Sequence, residues 1–419
     1  MSTLLEHPQA QALLNQATVS PAMIRSCAED LHGFLERYLP WFYRDEQREH
    51  AQTILQGKVK KLERKTTEPI ARAAGQKCRP LQHFVGAGRW DDDAVKGEMY
   101  RHVTEELGES QGVLTLDGHG VPKWGKESCG VARQWCGRLG KVDNCQVGVF
   151  LGYVTLRGKT LLDGRLYLTQ ERAADRGHRK KTFVPAEVVF QEKWRLALAL
   201  LHTSGRHLPH GWVTGDDELG RVSAFRSQLR LERERYVLDV PCNTLVRDLG
   251  ERRPPKEPGG KPRLPVFERV DAWAARQPKK RWRKLRLRAG EKGWLEVRAL
   301  QQKMQTKDED GHVGPRERLV VIRSCEKQPR TWYTLSNARK EVSLPQVVKA
   351  HGLHHGIEEL FQEGIQEVGL NHYEVRSWVG WHHHMTLTFL ALWFLQWQRL
   401  QLRKKNTGHD RVPGGLDSS

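Results

Sequence analysis

Between Leu114 and Gly125 the chain reads LTLDGHGVPKWG, and this stretch constrains the fold more than any other. Val113, Leu114 and Leu116 read as the end of a short buried strand. Asp117 stands where that strand stops, and Gly118, Gly120 and Pro122 then force a turn. A carboxylate at the mouth of a sheet, beside backbone that bends sharply, suits a divalent cation. Hard cations such as Mg²⁺ take oxygen ligands held on a rigid edge, with room left for substrate phosphates. A solvated turn aspartate satisfies the same local pattern, so the acid has to be judged by what accompanies it.

Upstream, residues 20–107 read as helical. Pro21 opens a helix, and Leu31, Phe34, Leu35, Tyr38, Leu39 and Phe42 recur at mixed spacings of three and four. Asp91–Asp93 cap a further helix whose Val95, Met99, Val103 and Leu107 repeat every four residues. Lys58, Lys60, Lys61, Arg64 and Lys65 fit a DNA-binding face and an ordinary solvated face equally well. From Gln111 the pattern changes to strands. Gly112–Leu116, Gln146–Thr155 and Thr160–Thr169, joined by turns at 130–144 and 157–158, read as an antiparallel meander. A helix-rich stretch, Glu187–His202, leads to GWVTGDDELG (Gly211–Gly220), a second short strand ending in acids. A helix over Ala224–Glu234 and a strand over Tyr236–Val240 follow. The order β-β-β-α-β-α-β is that of a ribonuclease H-like core, an α/β fold.

Residues 250–265, which include ERRPPKEPGGKPRLP, read as a linker. Beyond it, Arg281–Arg288, Gly293–Ala299, Arg318–Arg323 and Thr331–Leu335 alternate polar with apolar residues, and Ile357–Leu402 returns to long helices. The division that results is a helical DNA-binding region over 1–108 and a first core part over 109–249. A β-rich insertion over 250–345, C-terminal core helices over 346–405 and a disordered tail over 406–419 complete it. The run RQPKKRWRKLRLR (Arg276–Arg288), near Trp273 and Trp294, joins phosphate-seeking charge to rings able to stack on bases. It nominates Lys279, Lys280, Arg281, Trp282 and Arg283 as DNA contacts.

Charge agrees with such a partner. Lys and Arg total 69 against 50 Asp and Glu, a formal net charge of +19, and this balance points to a polyanion, by default nucleic acid. Hydrophobic residues at 38% and 14 Trp supply a core, which excludes a disordered chain. The seven Cys form no CxxC pair, so a zinc-ribbon or disulfide scaffold is not expected. No secretory signal pattern opens the chain, and Leu387–Leu395 is too short to cross a bilayer, so a cytoplasmic protein without membrane contact is expected. GxxxxGK[ST] is absent, which excludes a P-loop nucleotide site of that kind.

Three acids then stand out: Asp117 ends the first strand, Asp216 the fourth, and Glu358 lies in a helix whose apolar face is Ile357, Leu360, Phe361 and Ile365. First and fourth strands are neighbours in a ribonuclease H-like sheet, and a helix across that edge can bring Glu358 to the same point. Such a trio can hold two Mg²⁺ about 3.5–4 Å apart. Asp217, Glu359 and Glu374 are the rival acids. His354, His355 and His382–His384 suggest zinc less well than partly solvated histidines facing DNA.

At this point the chain resembles bacterial insertion-sequence transposases of the DDE type, in the branch whose third acid lies in a Tyr-x2-Arg-x3-Glu-x6-Lys signature. The matching stretches are LDGHGVPKWG, SCGVARQWCGRLGKVDNCQVGV (Ser128–Val149), LLDGRLYL (Leu161–Leu168), WVTGDDELG and IEELFQEGIQEVGLNHYEVRSWVGWHHHMTL (Ile357–Leu387). The resemblance implies Asp117, Asp216 and Glu358 as catalytic acids and ligands of Mg²⁺ or Mn²⁺. It implies cutting of transposon ends and joining to target DNA, double-stranded DNA as partner, a homodimer in the active complex, and a nucleoid-associated setting. The signature's Tyr, Arg and Lys fall here on His351, His354 and Ile365; His351, His354 and Arg376 are further candidate DNA contacts. A structure-specific nuclease on the same core, and a catalytically inactive or domesticated DNA-binding protein, are the rival readings.

Overall fold

A computed structural model describes residues 21–250, 266–290, 293–308 and 311–409. The expected linker, from residue 251 to 265, and the tail beyond residue 409 lie outside the described residues.

Helices α1 (Pro21–Glu36), α2 (Asp45–Val59), α3 (Thr67–Ala73), α4 (Cys78–Gly86) and α5 (Asp92–Leu107) precede the first strand. The α5 cap is where the acidic run placed it, with the Asp91 carboxylate accepting the Ala94 N–H at 3.0 Å. Val95, Met99, Val103 and Leu107 form its buried face. Two of the five basic residues at and beyond the end of α2, Lys58 and Lys65, correct both readings offered for them, because they face neither DNA nor solvent. Lys58 is buried, with Nζ donating to Thr388 Oγ1 at 2.8 Å, and Lys65 Nζ donates to the Lys58 carbonyl at 2.6 Å, closing the C-terminus of α2.

Strands β1 (Val113–Pro122), β2 (Ala132–Cys136), β3 (Lys141–Val154) and β4 (Lys159–Leu166) open a mixed sheet. Helices α6 (Gln170–Ala174), α7 (Arg176–Thr182) and α8 (Lys193–Thr203) lead to β5 (Trp212–Gly215). α9 (Asp217–Gly220) and α10 (Ser223–Leu231) lead to β6 (Tyr236–Asp239). β3 lies antiparallel to β1 and β4, whereas β5 is parallel to β1 and β6 parallel to β5, giving the order β4-β3-β1-β5-β6. β1 does not end at Asp117. It stays paired with β3 as far as Pro122↔Cys145, while its pairing with β5 stops at Leu116↔Gly215. The expected turn is strand because its glycines admit a close neighbour; a Cβ on Gly120 would meet Cys136 Sγ at 3.0 Å. The stretch 130–144, also expected as a turn, contains β2.

β7 (Leu245–Asp248), β8 (Glu268–Arg269), α11 (Val270–Ala275), β9 (Arg283–Gly290), β10 (Gly293–Lys307), β11 (Val313–Ser324) and β12 (Thr331–Ser336) make up the β-rich part. They extend the same sheet: β12 pairs antiparallel with β6, and β7, before the expected boundary at 250, pairs with β10. A buried ion pair fastens the two parts. Arg226 on α10 meets Glu317 on β11 at 3.1 Å, and Arg226 Nη2 donates to Thr306 Oγ1 at 2.9 Å.

α12 (Leu344–His354), α13 (Gly356–Glu367) and α14 (Trp378–His409) close the chain, with α14 running through residues expected to fray. α14 packs along β4, α2 and α4 and buries Trp381, Phe389, Leu390 and Trp393. His382–His384 are buried there, not turned to DNA. The His383 ring stacks on Trp90 with centroids 3.8 Å apart, His384 bonds the Leu370 carbonyl, and burial pushes His382 down to about 4. Among the described residues no helix is long and apolar enough to cross a membrane.

Candidate active site

Register places the acids. Leu116 is abreast of Gly215, and Gly215 of Leu238, on three adjacent parallel strands. The next residue on each is an aspartate, so Asp117, Asp216 and Asp239 fall in one row across the strand ends. Sequence reasoning missed Asp239, although the signal was present: YVLD (Tyr236–Asp239) is a third apolar strand ending in an acid.

Asp117 is half-buried, and its Oδ1 accepts its neighbour's N–H, Gly118, at 2.6 Å. Burial, then the Asp216 carboxylate, and also Glu358 and Glu218, push its carboxyl well above the ordinary range. Asp216 caps α9, accepting the Leu219 N–H at 3.1 Å. Burial, with Glu218, Asp217 and Asp239 nearby, outweighs that bond and pushes it up to about 7. Among the described residues neither aspartate has a Lys or Arg salt-bridge partner. The edge is therefore an uncompensated concentration of negative charge.

Glu358 sits in the first turn of α13, exposed, and lines one open cleft with Asp117, Gly118, Gly120 and Arg138. His355 Nδ1 lies 3.0 Å from its Oε2 and, through that bond, holds the carboxyl below its usual value. Of the rival acids, Glu359 is engaged by Lys159, Glu374 by Arg64 at 3.5 Å and Asp217 by Arg221 at 3.5 Å. Among the described residues no group of three or more His, Cys, Asp or Glu is arranged to hold a metal ion. Two facing carboxylates suffice for Mg²⁺, which is usually held by one or two carboxylates together with substrate phosphates. The Asp117–Asp216 pair fits that pattern.

The candidate DNA contacts separate into two sets. Lys279, Lys280, Arg283 and Arg376 are exposed. Arg281 turns back onto the fold, donating to Gln302 Oε1 at 2.6 Å above the Trp273 ring. Trp282 is half-buried with the Arg323 guanidinium 4.6 Å over its ring, so stacking on a base is not open to that face. His354 is buried, and its Nδ1 shares a 2.8 Å bond with Thr115 Oγ1; His351 Nε2 lies 3.0 Å from Asp239 Oδ1. His351 thus bonds the end of β6, and His354 bonds β1 two residues before Asp117; burial closes the latter to a DNA contact.

Comparison with known proteins gives the family. The model of the family described as "DDE superfamily endonuclease" matches residues 37–294, more than half of the chain, and the chain belongs to that family. The match contains Asp117 and Asp216 and ends before Glu358. The chain is also 30% identical over 129 residues to the "Probable transposase for insertion sequence element IS701" of Microchaete diplosiphon, a match spanning 28% of this chain and 34% of that protein. The resemblance to insertion-sequence transposases of the DDE type thus rests on the whole family span as well as on motifs.

Proposed function

We propose that this protein is a transposase that cuts double-stranded DNA at transposon ends and joins the freed 3′-hydroxyls to target DNA, acting as a homodimer. The observation that carries the reading is the pair of uncompensated carboxylates, Asp117 and Asp216, abreast on adjacent parallel strands. The order β4-β3-β1-β5-β6 supports a ribonuclease H-like core beneath them. Asp117 and Asp216 would hold Mg²⁺ or Mn²⁺, whose chemistry is to neutralise phosphate charge and activate the attacking oxygen. Glu358 lines the same cleft from the start of α13, and Arg138, which also lines it, would serve as a phosphate contact. Lys279 and Lys280 in the turn before β9, Arg283 at its start, and Arg376 would hold the flanking duplex.

Cleavage and strand transfer on DNA bearing the element's own inverted repeats test this. Asp117→Asn, Asp216→Asn and Glu358→Gln should each abolish both steps while leaving end binding intact; wild-type cutting by any one removes that acid from the site. The family description favours a second reading, an endonuclease without joining activity. Cleavage by the wild type with no strand-transfer product would select it.

A further inference from the structure

The hairpin formed by β2 and β3 and the loop before it carry two exposed indoles that the duplex-cutting chemistry does not use. Trp124 is 106% exposed and Trp135 55% exposed, in a protein that buries most of its rings. Along β2 the outward residues are Arg133 and Trp135; opposite them on β3 stand Asn144 and Val142, the latter also exposed. Asn144 fixes the neighbouring loop. Its Nδ2 donates to the carbonyls of Lys123 and Gly125, at 3.0 Å for Gly125, and its own carbonyl accepts the Lys123 N–H at 2.9 Å. Trp124, between those two residues, is therefore presented beside Arg133 and Trp135. Lys123 itself turns inward, with Nζ 3.6 Å from the Tyr373 ring centre, so the indole is what this loop offers to solvent.

Two exposed indoles on a pinned backbone gain nothing from the fold, since burial is what stabilises such rings. The acids nearby are engaged by other lysines, Asp143 by Lys141 at 3.0 Å and Glu127 by Lys181 at 4.0 Å, which leaves the cations of this surface in excess. Arg133, Lys126 and Arg138 are exposed and, among the described residues, have no salt-bridge partner. Arg138, at the hairpin tip, also lines the cleft of Asp117 and Glu358, so the surface is continuous with the candidate site. Cation plus free aromatic face is the chemistry that holds unpaired nucleotides: phosphates meet the arginines and bases stack on the rings. Fully paired DNA has its base faces covered by its own stacking.

Resting on the reading of the acids as a DNA-cutting site, we propose that the surface of Trp124, Arg133, Trp135 and Arg138 binds a single, unpaired DNA strand at the mouth of that site. Binding of the full-length protein, in EDTA, to a duplex with a single-stranded 3′ tail is compared with binding to the blunt duplex. A 2-aminopurine in the tail reports stacking. Wild type should prefer the tailed duplex and quench the probe. Trp124→Ala and Trp135→Ala should each lose about tenfold in affinity for the tailed duplex only, together with the quenching. Trp124→Phe should retain most of both, and Arg133→Ala should lower the salt slope on the tailed duplex by about 1.

Equal losses on tailed and blunt DNA, unchanged binding by both Trp variants, or a change of oligomeric state in place of DNA affinity would overturn the proposal. The last result would make the surface a contact between copies. A wild type that cuts DNA while the Trp variants bind normally sinks this inference alone; a wild type that neither binds nor cuts DNA sinks the functional reading beneath it.

Discussion

Replacing Asp216 by Asn should stabilise the metal-free protein, because this carboxylate is held where its charge is unwelcome. Its carboxyl is pushed from an ordinary 3.8 up to about 7, chiefly by burial and then by Glu218, Asp217 and Asp239. A carboxyl raised in the folded state binds its proton more tightly there than in the unfolded chain. Folding is therefore penalised fully above pH 7, and the penalty disappears as pH falls toward 4. Three pH units correspond to about 4 kcal/mol as an upper limit. Partial exposure and the shared charge of Asp117 reduce this to about 1–2 kcal/mol. Asn keeps an oxygen for the Leu219 N–H, so the cap on α9 survives the change. Denaturant unfolding in EDTA should show the variant more stable at pH 8, with the gain shrinking to about half near pH 5.5. Added Mg²⁺ should stabilise wild type and leave the variant nearly unmoved. A variant less stable than wild type at pH 8 would refute the view that these acids are mutually repelling in the free protein.

Lys58, fully buried without a carboxylate partner in hydrogen-bond contact, is lowered to about 7 by burial and by Lys65. Its cost is present at pH 7 and below and fades as pH rises toward 10.5. Lys58→Met should therefore raise the unfolding midpoint at pH 7 and lose that advantage by pH 10; a drop at pH 7 would mean its bond to Thr388 outweighs desolvation. Arg226→Met strands Glu317 in the sheet and should cost about 3–5 kcal/mol, whereas a loss below about 1 kcal/mol would show that the ion pair does not fasten the two parts. Replacing Lys279, Lys280 and Arg283 with Ala should flatten the salt dependence of duplex binding by about 1 for each phosphate no longer neutralised; an unchanged slope would place that face away from DNA.

The strands and helices around the acids were legible because their signals are local. Apolar runs that end in acids, LTLD and WVTGDD, mark the end of β5 and the point where β1 parts from it, without tertiary information. Where the reading went astray, a partner supplied by the fold had overruled the local signal. Gly118, Gly120 and Pro122 punctuate a turn in sequence, yet β3 pairs with every residue of β1 through Pro122. Lys58, Lys65 and His382–His384 look like a polar surface in sequence. They are interior because α14, which carries the histidines, packs against α2 and α4, and because backbone carbonyls and Thr388 satisfy their nitrogens. The β-rich segment reads as an insertion behind a Pro/Gly linker, and only the β6–β12 pairing shows that it prolongs the sheet. Long-range pairing of that kind leaves no trace in local periodicity.

The histidines near the proposed third acid carry the same lesson into the site. Glu358 lies on a helix distant in sequence from both strand acids, and its reach depends on how α12 and α13 are seated. His351 grips Asp239 at the end of β6, and His354, three residues on, grips Thr115 two residues before Asp117. Residues three apart share one face of a helix, so the two bonds fasten a single face of α12 across the parallel strand ends. Only His355 separates α12 from α13, and its ring holds Glu358 itself at 3.0 Å. Burial keeps His354 below its ordinary pKa, so its bond to Thr115 is one between neutral groups, insensitive to salt. Positions that carry Tyr and Arg in the signature this chain resembles thus hold inward-facing anchors here. Their bonds bear on where the glutamate stands relative to the aspartates. Under the proposed function, DNA contacts would then fall to other surfaces, with Lys279, Lys280, Arg283 and Arg376 as the exposed candidates.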